Sequence, residues 1–329
     1  MTLPRAANYQ APLWLPGGHL QTLYPLLIKP PVPAYTRERW DTPDGDFIDL
    51  DWLLAPSPGA CTSAPLLVLF HGLEGSSRSH YATALMSAVG KAGWDGVVPH
   101  FRGCSGELNR SPRAYHSGDS AEIDWIVRRL RLRFPSRPLY LAGVSLGGNA
   151  LLKWLGEQGG LAPGVVQAAA AICPPLDLTV CGQALGRGFN RIYTAHFLAT
   201  LKKGAAARLQ RFPGLFDGPA ALRARSLRDF DHVVTAPLHG FAGVDDYWQR
   251  ASSKPWLPGI EVPTLIINPL NDPFLPPHAL PGPKQVSLRV TLEQPPKGGH
   301  VGFASGPIPG QLDWLPTRLL QFFQPHRQP

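Results

Sequence analysis

Residues Tyr140-Leu-Ala-Gly143-Val144-Ser145-Leu146-Gly147-Gly148 form an apolar, strand-like run that meets a helical pattern at a serine flanked by glycines. A G-x-S-x-G segment between a strand and a helix demands a sharp turn. The serine then sits in a strained backbone conformation, and bulky neighbours two positions away would collide; Gly143 and Gly147 remove them. The turn lifts the Ser145 hydroxyl clear of the sheet at a helix N-terminus, where backbone N–H groups can hold an oxyanion.

The flanking sequence alternates in the way such a turn needs. Leu66–Phe70 is a continuous apolar run that suits a strand buried on both faces. Strand patterns follow at Gly96–Phe101, Leu139–Ala142, Val166–Cys173, Thr264–Ile267 and Ser287–Leu292. Helical patterns fall at Tyr81–Ala92, Leu146–Gly156 and Gln311–Phe323, and from Asp119, whose spacing to Glu122 predicts a capping box, to Phe134. Ahead of these, Arg39–Asp41 and Phe47–Leu54 flank Pro43-Asp44-Gly45-Asp46 and read as a hairpin, whereas the opening forty residues read as irregular. The prediction is an α/β fold with a doubly wound, mostly parallel central sheet. Alternation lapses between 176 and 256. That segment is expected to be a helical cap, with 1–175 and 257–329 forming the core.

Composition excludes several classes. The chain has 329 residues, enough for a large core without disulfide or metal staples. Cys61, Cys104, Cys173 and Cys181 show neither C-x-x-C nor zinc-type spacing, so reduced thiols are expected. Met1–Gln10 is not a basic leader, and the apolar stretch Leu20–Ile28 is interrupted by Gln21, Thr22 and Pro25. No transmembrane segment is expected, and the default localisation is cytoplasmic. The net charge of +8 raises nucleic-acid binding, but the basic residues are scattered. The densest group, Arg128–Arg133, reads as a solvated helix face, so no nucleic-acid partner is expected and only weak peripheral contact with anionic lipid is retained.

A serine needs a general base, and this fold class orders the residues as Ser, acid, His. His300, in Lys297-Gly298-Gly299-His300-Val301-Gly302, follows a late strand and fits that order. His71, His80, His100 and His116 precede the serine and do not. Two acids compete: Asp272, after Thr264–Ile267, and Asp177, after the preceding strand, with Asp272 favoured. Its role would be to orient His300. The segment His71-Gly72-Leu73-Glu74-Gly75 is placed to supply a second oxyanion donor, so the backbone N–H groups of Leu73 and Leu146 are the expected pair. Phe189, Phe197, Phe212, Phe216, Phe230, Tyr247 and Trp248 are candidates for an apolar wall around an acyl chain.

Together with Trp14-Leu-Pro-Gly-Gly-His19-Leu-Gln21-Thr22, His100-Phe-Arg102-Gly103-Cys104-Ser105-Gly106 and Thr235-Ala-Pro-Leu-His239-Gly240-Phe241, these motifs give a resemblance over nearly the whole chain. The sequence resembles the α/β-hydrolase fold, specifically its YheT-like branch, related to abhydrolase-domain lipases and esterases. The resemblance implies a serine hydrolase acting on small-molecule carboxylic esters, with Ser145, Asp272 and His300 as triad. Animal relatives usually carry an N-terminal membrane anchor; the sequence shows none, so bilayer residence is not carried over. No cofactor or metal is required. Thioesterase, amidase and peptidase chemistry use the same triad, and a non-catalytic interaction protein on this scaffold is the remaining alternative. Acyl length, leaving group, oligomeric state and the chemistry of the His19 and His239 segments stay open.

Overall fold

The computed structural model describes residues 8–54 and 64–326; residues 1–7 and Cys61 lie outside this range. Eight strands form one sheet in the order β1-β2-β4-β3-β5-β6-β7-β8. They are β1 (Thr36–Asp41), β2 (Phe47–Leu53), β3 (Leu66–Phe70), β4 (Asp95–Pro99), β5 (Leu139–Val144), β6 (Ala168–Ile172), β7 (Thr264–Ile267) and β8 (Val290–Glu293). β2 is antiparallel to both β1 and β4, and all pairs from β4 to β8 are parallel. Asp44-Gly45 closes the predicted hairpin, with Gly45 at φ 78° as a tight turn requires.

Helices α1 (Gly18–Leu23), α2 (His80–Lys91), α3 (Ser120–Arg133) and α4 (Leu146–Gln158) precede β6. Between β6 and β7 come α5 (Leu178–Leu185), α6 (Arg191–Arg211), α7 (Gly218–Arg223), α8 (Leu227–Phe230), α9 (Ala236–Leu238) and α10 (Val244–Ala251); α11 (Trp314–Phe323) closes the fold. Apolar layers cover both sheet faces. One packs α3 and α4 residues such as Ile126, Leu151 and Trp154 on Val68 and Leu141. The other packs α2 and α11 residues such as Leu85, Met86 and Phe323 on Leu67 and Tyr140.

Register is what builds the site. Phe70 pairs with Gly143, Val144 with Ile172, Ile172 with Ile267, and Ile267 with Glu293. Strands β3, β5, β6, β7 and β8 therefore end nearly level. The loops that leave them, carrying Leu73, Ser145, Asp272 and His300, converge on one edge, where ligands gather in open parallel sheets.

Several expectations are corrected. The capping box at α3 does not form: Asp119 accepts both its hydrogen bonds from Arg113 (2.6 and 2.8 Å), and the buried Glu122 accepts from Arg102. Two buried carboxylates beside two arginines gain more from ion pairing than from a helix-end amide. In the Arg128–Arg133 run, Arg131 is partly buried and is not a free solvated side chain, because it donates to the carbonyls of Val165, Phe134, Pro135 and Arg137. β8 begins at Val290 because the Ser287 hydroxyl donates to the Ile260 carbonyl and turns the chain there. α11 begins at Trp314, with the Asp313 carbonyl receiving its first helical bond. The opening forty residues are not all irregular, since α1 lies within them.

The insertion is tied down through polar groups. The α6 residue Arg208 donates to Asn109 (2.7 Å), which donates to Asp46 (2.6 Å), itself paired with the buried Arg102. Burial alone would raise the Asp46 carboxyl, but donors on Ser111, Asn109 and the Arg110 and Phe47 amides outweigh it and hold it well below the usual range.

Candidate active site

Ser145 has φ 52° and ψ −120° at the N-cap of α4, a conformation that ordinary residues avoid. Its glycine neighbours are required by close packing of backbone on backbone. A Cβ on Gly143 would lie 2.6 Å from the Gly147 carbonyl oxygen, and one on Gly147 would lie 2.5 Å from those of Phe70 and His71. Asn149, at the end of the motif, donates to the Ser117 and Ala251 carbonyls and accepts from the Ser253 amide, stapling α4 to the loops around it.

The structure brings three predicted side chains together. His300 Nδ1 lies 2.8 Å from Asp272 Oδ2, and His300 Nε2 lies 3.0 Å from Ser145 Oγ. The Asp272 carboxylate only accepts, so Nδ1 carries the ring proton and Nε2 is left to accept from the serine hydroxyl. Asp272 is buried and also accepts from the Phe274 amide (2.8 Å), which fixes its orientation. The Phe274 ring lies 4.1 Å from the imidazole, centre to centre. Asp177, the competing acid, instead caps α5 by accepting from the Val180 amide. Leu73 and Leu146 line the same cavity as Ser145 and His300. Among the described residues, neither of their amides donates to a protein acceptor.

The residues that hold this geometry were mostly hidden in the sequence. His71 fails the chain order expected of a base, but it positions the loop carrying Leu73. It donates from Nδ1 to the Gly72 carbonyl (2.8 Å) and accepts at Nε2 from the Phe101 amide (3.1 Å). Burial, with His100 nearby, pushes it down to about 3, so it stays neutral and keeps both bonds. Tyr81 accepts from the Gly72 amide, and Glu74 accepts from the Tyr115 hydroxyl.

The segment around His19 likewise acquires a role. Buried Gln21 accepts from the Gly298 amide and from Asn271 Nδ2 (2.9 Å each) and donates to the Leu15 carbonyl. Thr22 Oγ1 accepts from the His300 amide (2.8 Å), and Asn271 Oδ1 accepts from the Gly299 amide. α1 thus clamps the acid loop to the histidine loop, with Gln21 as a positioning residue. Gln21→Ala is expected to lower turnover about 10- to 100-fold with little change in KM, measured by steady-state kinetics on a soluble ester. His19 itself faces α6, 3.1 Å from the Tyr193 hydroxyl and stacked on that ring, with Phe189 tilted against it at 4.4 Å. His239 lies against His116, ring centres 4.5 Å apart, and does not join Ser145. Burial, then the adjacent His116, pushes it down to about 3.

Two spaces open from Ser145. A narrow cavity of about 180 Å³ runs beneath the inserted helices. Of the candidate aromatics, Phe197, Phe230, Tyr247 and Trp248 line it, whereas Phe189, Phe212 and Phe216 do not; Phe216 packs into a separate core between α6 and α7. A wider groove of about 700 Å³ leads outward between α1, α6 and the loop before α2. Asp231, in a π-helical turn, borders the narrow cavity and accepts from Thr235 and the Trp248 indole. Burial pushes its carboxyl up to about 6, against the pull of those donors. A raised carboxyl favours folding when protonated; that stabilisation is complete below about pH 4 and lost as pH rises through 6. Asp231→Asn is expected to be more stable than wild type at pH 8, by about 1–2 kcal/mol, because the amide still accepts one of the two bonds. Denaturant melts between pH 4 and 8 measure it.

Among the described residues, one group of three His, Cys, Asp or Glu ligand atoms lies within mutual metal-binding reach, Cys173, Asp272 and His300. Both ring nitrogens of His300 are already engaged there, and the buried Cys173 thiol is pushed well up by burial, so the set does not suit a cation. Cys104, Cys173 and Cys181 are unpaired thiols. No described helix is long and apolar enough to cross a membrane.

A mostly parallel eight-stranded sheet with a serine at the elbow after β5 defines an α/β hydrolase. A family model described as alpha/beta hydrolase fold matches residues 65–307. The chain is 41% identical over 305 residues to "Putative esterase YheT" of Escherichia coli, covering 92% of this chain and 88% of that one. It is 31% identical over 324 residues to "Phospholipase ABHD3" of Homo sapiens, covering 96% and 78%. Among solved structures, a Pyrococcus furiosus esterase superposes with a TM-score of 0.56 at 16% identity, covering 91% of this chain and 97% of that one. The chain belongs to the α/β-hydrolase family, in its YheT-like branch.

Proposed function

We propose that the protein is a carboxylic ester hydrolase working through an acyl-enzyme on Ser145. The observation that carries this reading is the unbroken chain of hydrogen bonds from Asp272 through His300 to the Ser145 hydroxyl. Ser145 Oγ attacks the ester carbonyl while His300 Nε2 takes its proton, and the Leu73 and Leu146 amides hold the oxyanion. His300 then gives that proton to the leaving alcohol, the C–O bond breaks, and water repeats the sequence on the acyl-enzyme. Asp272 orients the ring and stabilises the imidazolium. The narrow cavity under 176–256, read as the cap, takes the acyl chain. The wider groove takes the alcohol side.

The relatives named esterase and phospholipase support ester chemistry over amide or peptide cleavage. Hydrolysis of p-nitrophenyl esters of graded chain length tests it, with thioesters, amides and phospholipids in parallel. The expected result is a preference for short to medium acyl chains, set by the small cavity volume. Faster cleavage of the matched amide or thioester would replace the reading. The thiols suit a cytoplasmic setting.

A further inference from the structure

The wider groove has an unusual rim. Leu26, Val32 and Ile192 line it yet are 54%, 51% and 55% exposed, and the adjacent Leu27 is 73% exposed. Scattered exposed leucines are ordinary on any surface, but an apolar cluster around one opening marks a contact site. Phe189, half exposed against His19, extends the patch to the turn before α6.

The charge around the groove is mostly positive, with Glu74, which accepts from the Tyr115 hydroxyl, as the acid that lines it. Residues 8–36 contain Lys29 and no aspartate or glutamate, and residues 178–216 contain Arg187, Arg191, Lys202, Lys203, Arg208 and Arg211 with no acid, Arg208 being buried against Asn109. Lys29 and Arg78 line the groove, and among the described residues neither has an ion-pair partner. Elsewhere on the surface Arg37, Arg39, Arg110, Arg133 and Arg228 are each matched to a carboxylate. Apolar side chains interleaved with unpaired cations complement one partner, a bilayer that presents phosphates above hydrocarbon.

We infer that this rim docks on the surface of an anionic lipid bilayer, with Leu26, Leu27, Val32 and Ile192 entering the headgroup boundary while Lys29 and Arg78 meet lipid phosphates. The groove mouth then faces the membrane, and an ester-bearing lipid reaches Ser145 without crossing water. The passage to Ser145 rests on the ester-hydrolase reading; the docking does not.

The test is co-sedimentation of the full chain with vesicles of phosphatidylcholine alone or with about 30 mol% phosphatidylglycerol. The wild-type protein is expected to sediment with the anionic vesicles and to be released by salt. The double variant Lys29→Gln/Arg78→Gln is expected to lose about 30-fold in partitioning, near fivefold per charge. Leu27→Asp is expected to lose at least about tenfold while hydrolysing a soluble short-chain ester normally, since Leu27 lies outside the groove lining. Ser145→Ala is expected to bind as wild type does. A wild-type protein that stays in the supernatant overturns the inference, as do variants that all bind equally. So does a Leu27→Asp effect confined to self-association, which would make the patch an interface between copies. Vesicle binding without ester hydrolysis would sink the hydrolase reading alone, and hydrolysis without binding would sink the docking alone.

Discussion

Ser145→Ala is expected to lower kcat for ester hydrolysis by about 10⁵- to 10⁶-fold while leaving KM within about threefold. In the proposed mechanism the hydroxyl is the group that bonds to the acyl carbon, and no neighbour is expected to replace it. The buried Cys173 thiol, close to the Asp272–His300 pair, is held protonated by burial and is no substitute nucleophile. His300→Ala is expected to cost about as much, and the double variant hardly more, because the two act as a unit. Asp272→Asn is expected to lose about 10⁴-fold, through a ring held in the wrong tautomer. Steady-state kinetics on one p-nitrophenyl ester measures all four. Unchanged turnover in His300→Ala would remove it as the base.

Gly302→Ala is expected to be the most damaging single methyl group in the molecule. Its Cβ would lie 1.9 Å from the Gln21 carbonyl oxygen and 2.6 Å from that of Gly298, both backbone atoms that cannot rotate away. Val301 at φ 57° and Phe303 at φ 45° are already in the left-handed region on either side, so the loop has little room to yield. Relief requires α1 to separate from the histidine loop, which also releases Gln21 and Thr22 from the amides of Gly298 and His300. The expected loss is about 3 kcal/mol of stability together with most of the activity. Gly164→Ala, with nothing within 4 Å, is the control and is expected to stay within about 0.5 kcal/mol. Denaturant melts of both variants decide the comparison; equal midpoints would show that the clamp can slide.

The parallel core was legible because each buried strand is a short apolar run between turn signals, and β3 and β7 begin and end where the pattern does. The serine turn was legible because its glycines answer a steric demand that lies within the motif itself. The clamp was not. Gln21 and Thr22 contact residues 271–300, some 250 positions away, and a buried glutamine in an otherwise Pro-rich stretch has no local period to announce it. The role of His71 was hidden for the same reason: its partner, the Phe101 amide, lies on the neighbouring strand's loop. The capping box misled because Ser, Asp and Glu near a helix start score alike whether they cap the helix or pair with an arginine brought in by the fold. The exposed apolar rim shows in the sequence only as an interrupted stretch, since exposure is a property of what packs nearby.

Fluorophosphonate labelling of the intact protein, followed by mass spectrometry of the digested adduct, identifies the nucleophile directly. One phosphonyl group per chain is expected, carried on Ser145 and absent from Ser145→Ala, with labelling greatly slowed in His300→Ala. Labelling at another residue, or a Ser145→Ala protein that still labels and hydrolyses esters at the wild-type rate, would contradict Ser145 as the nucleophile.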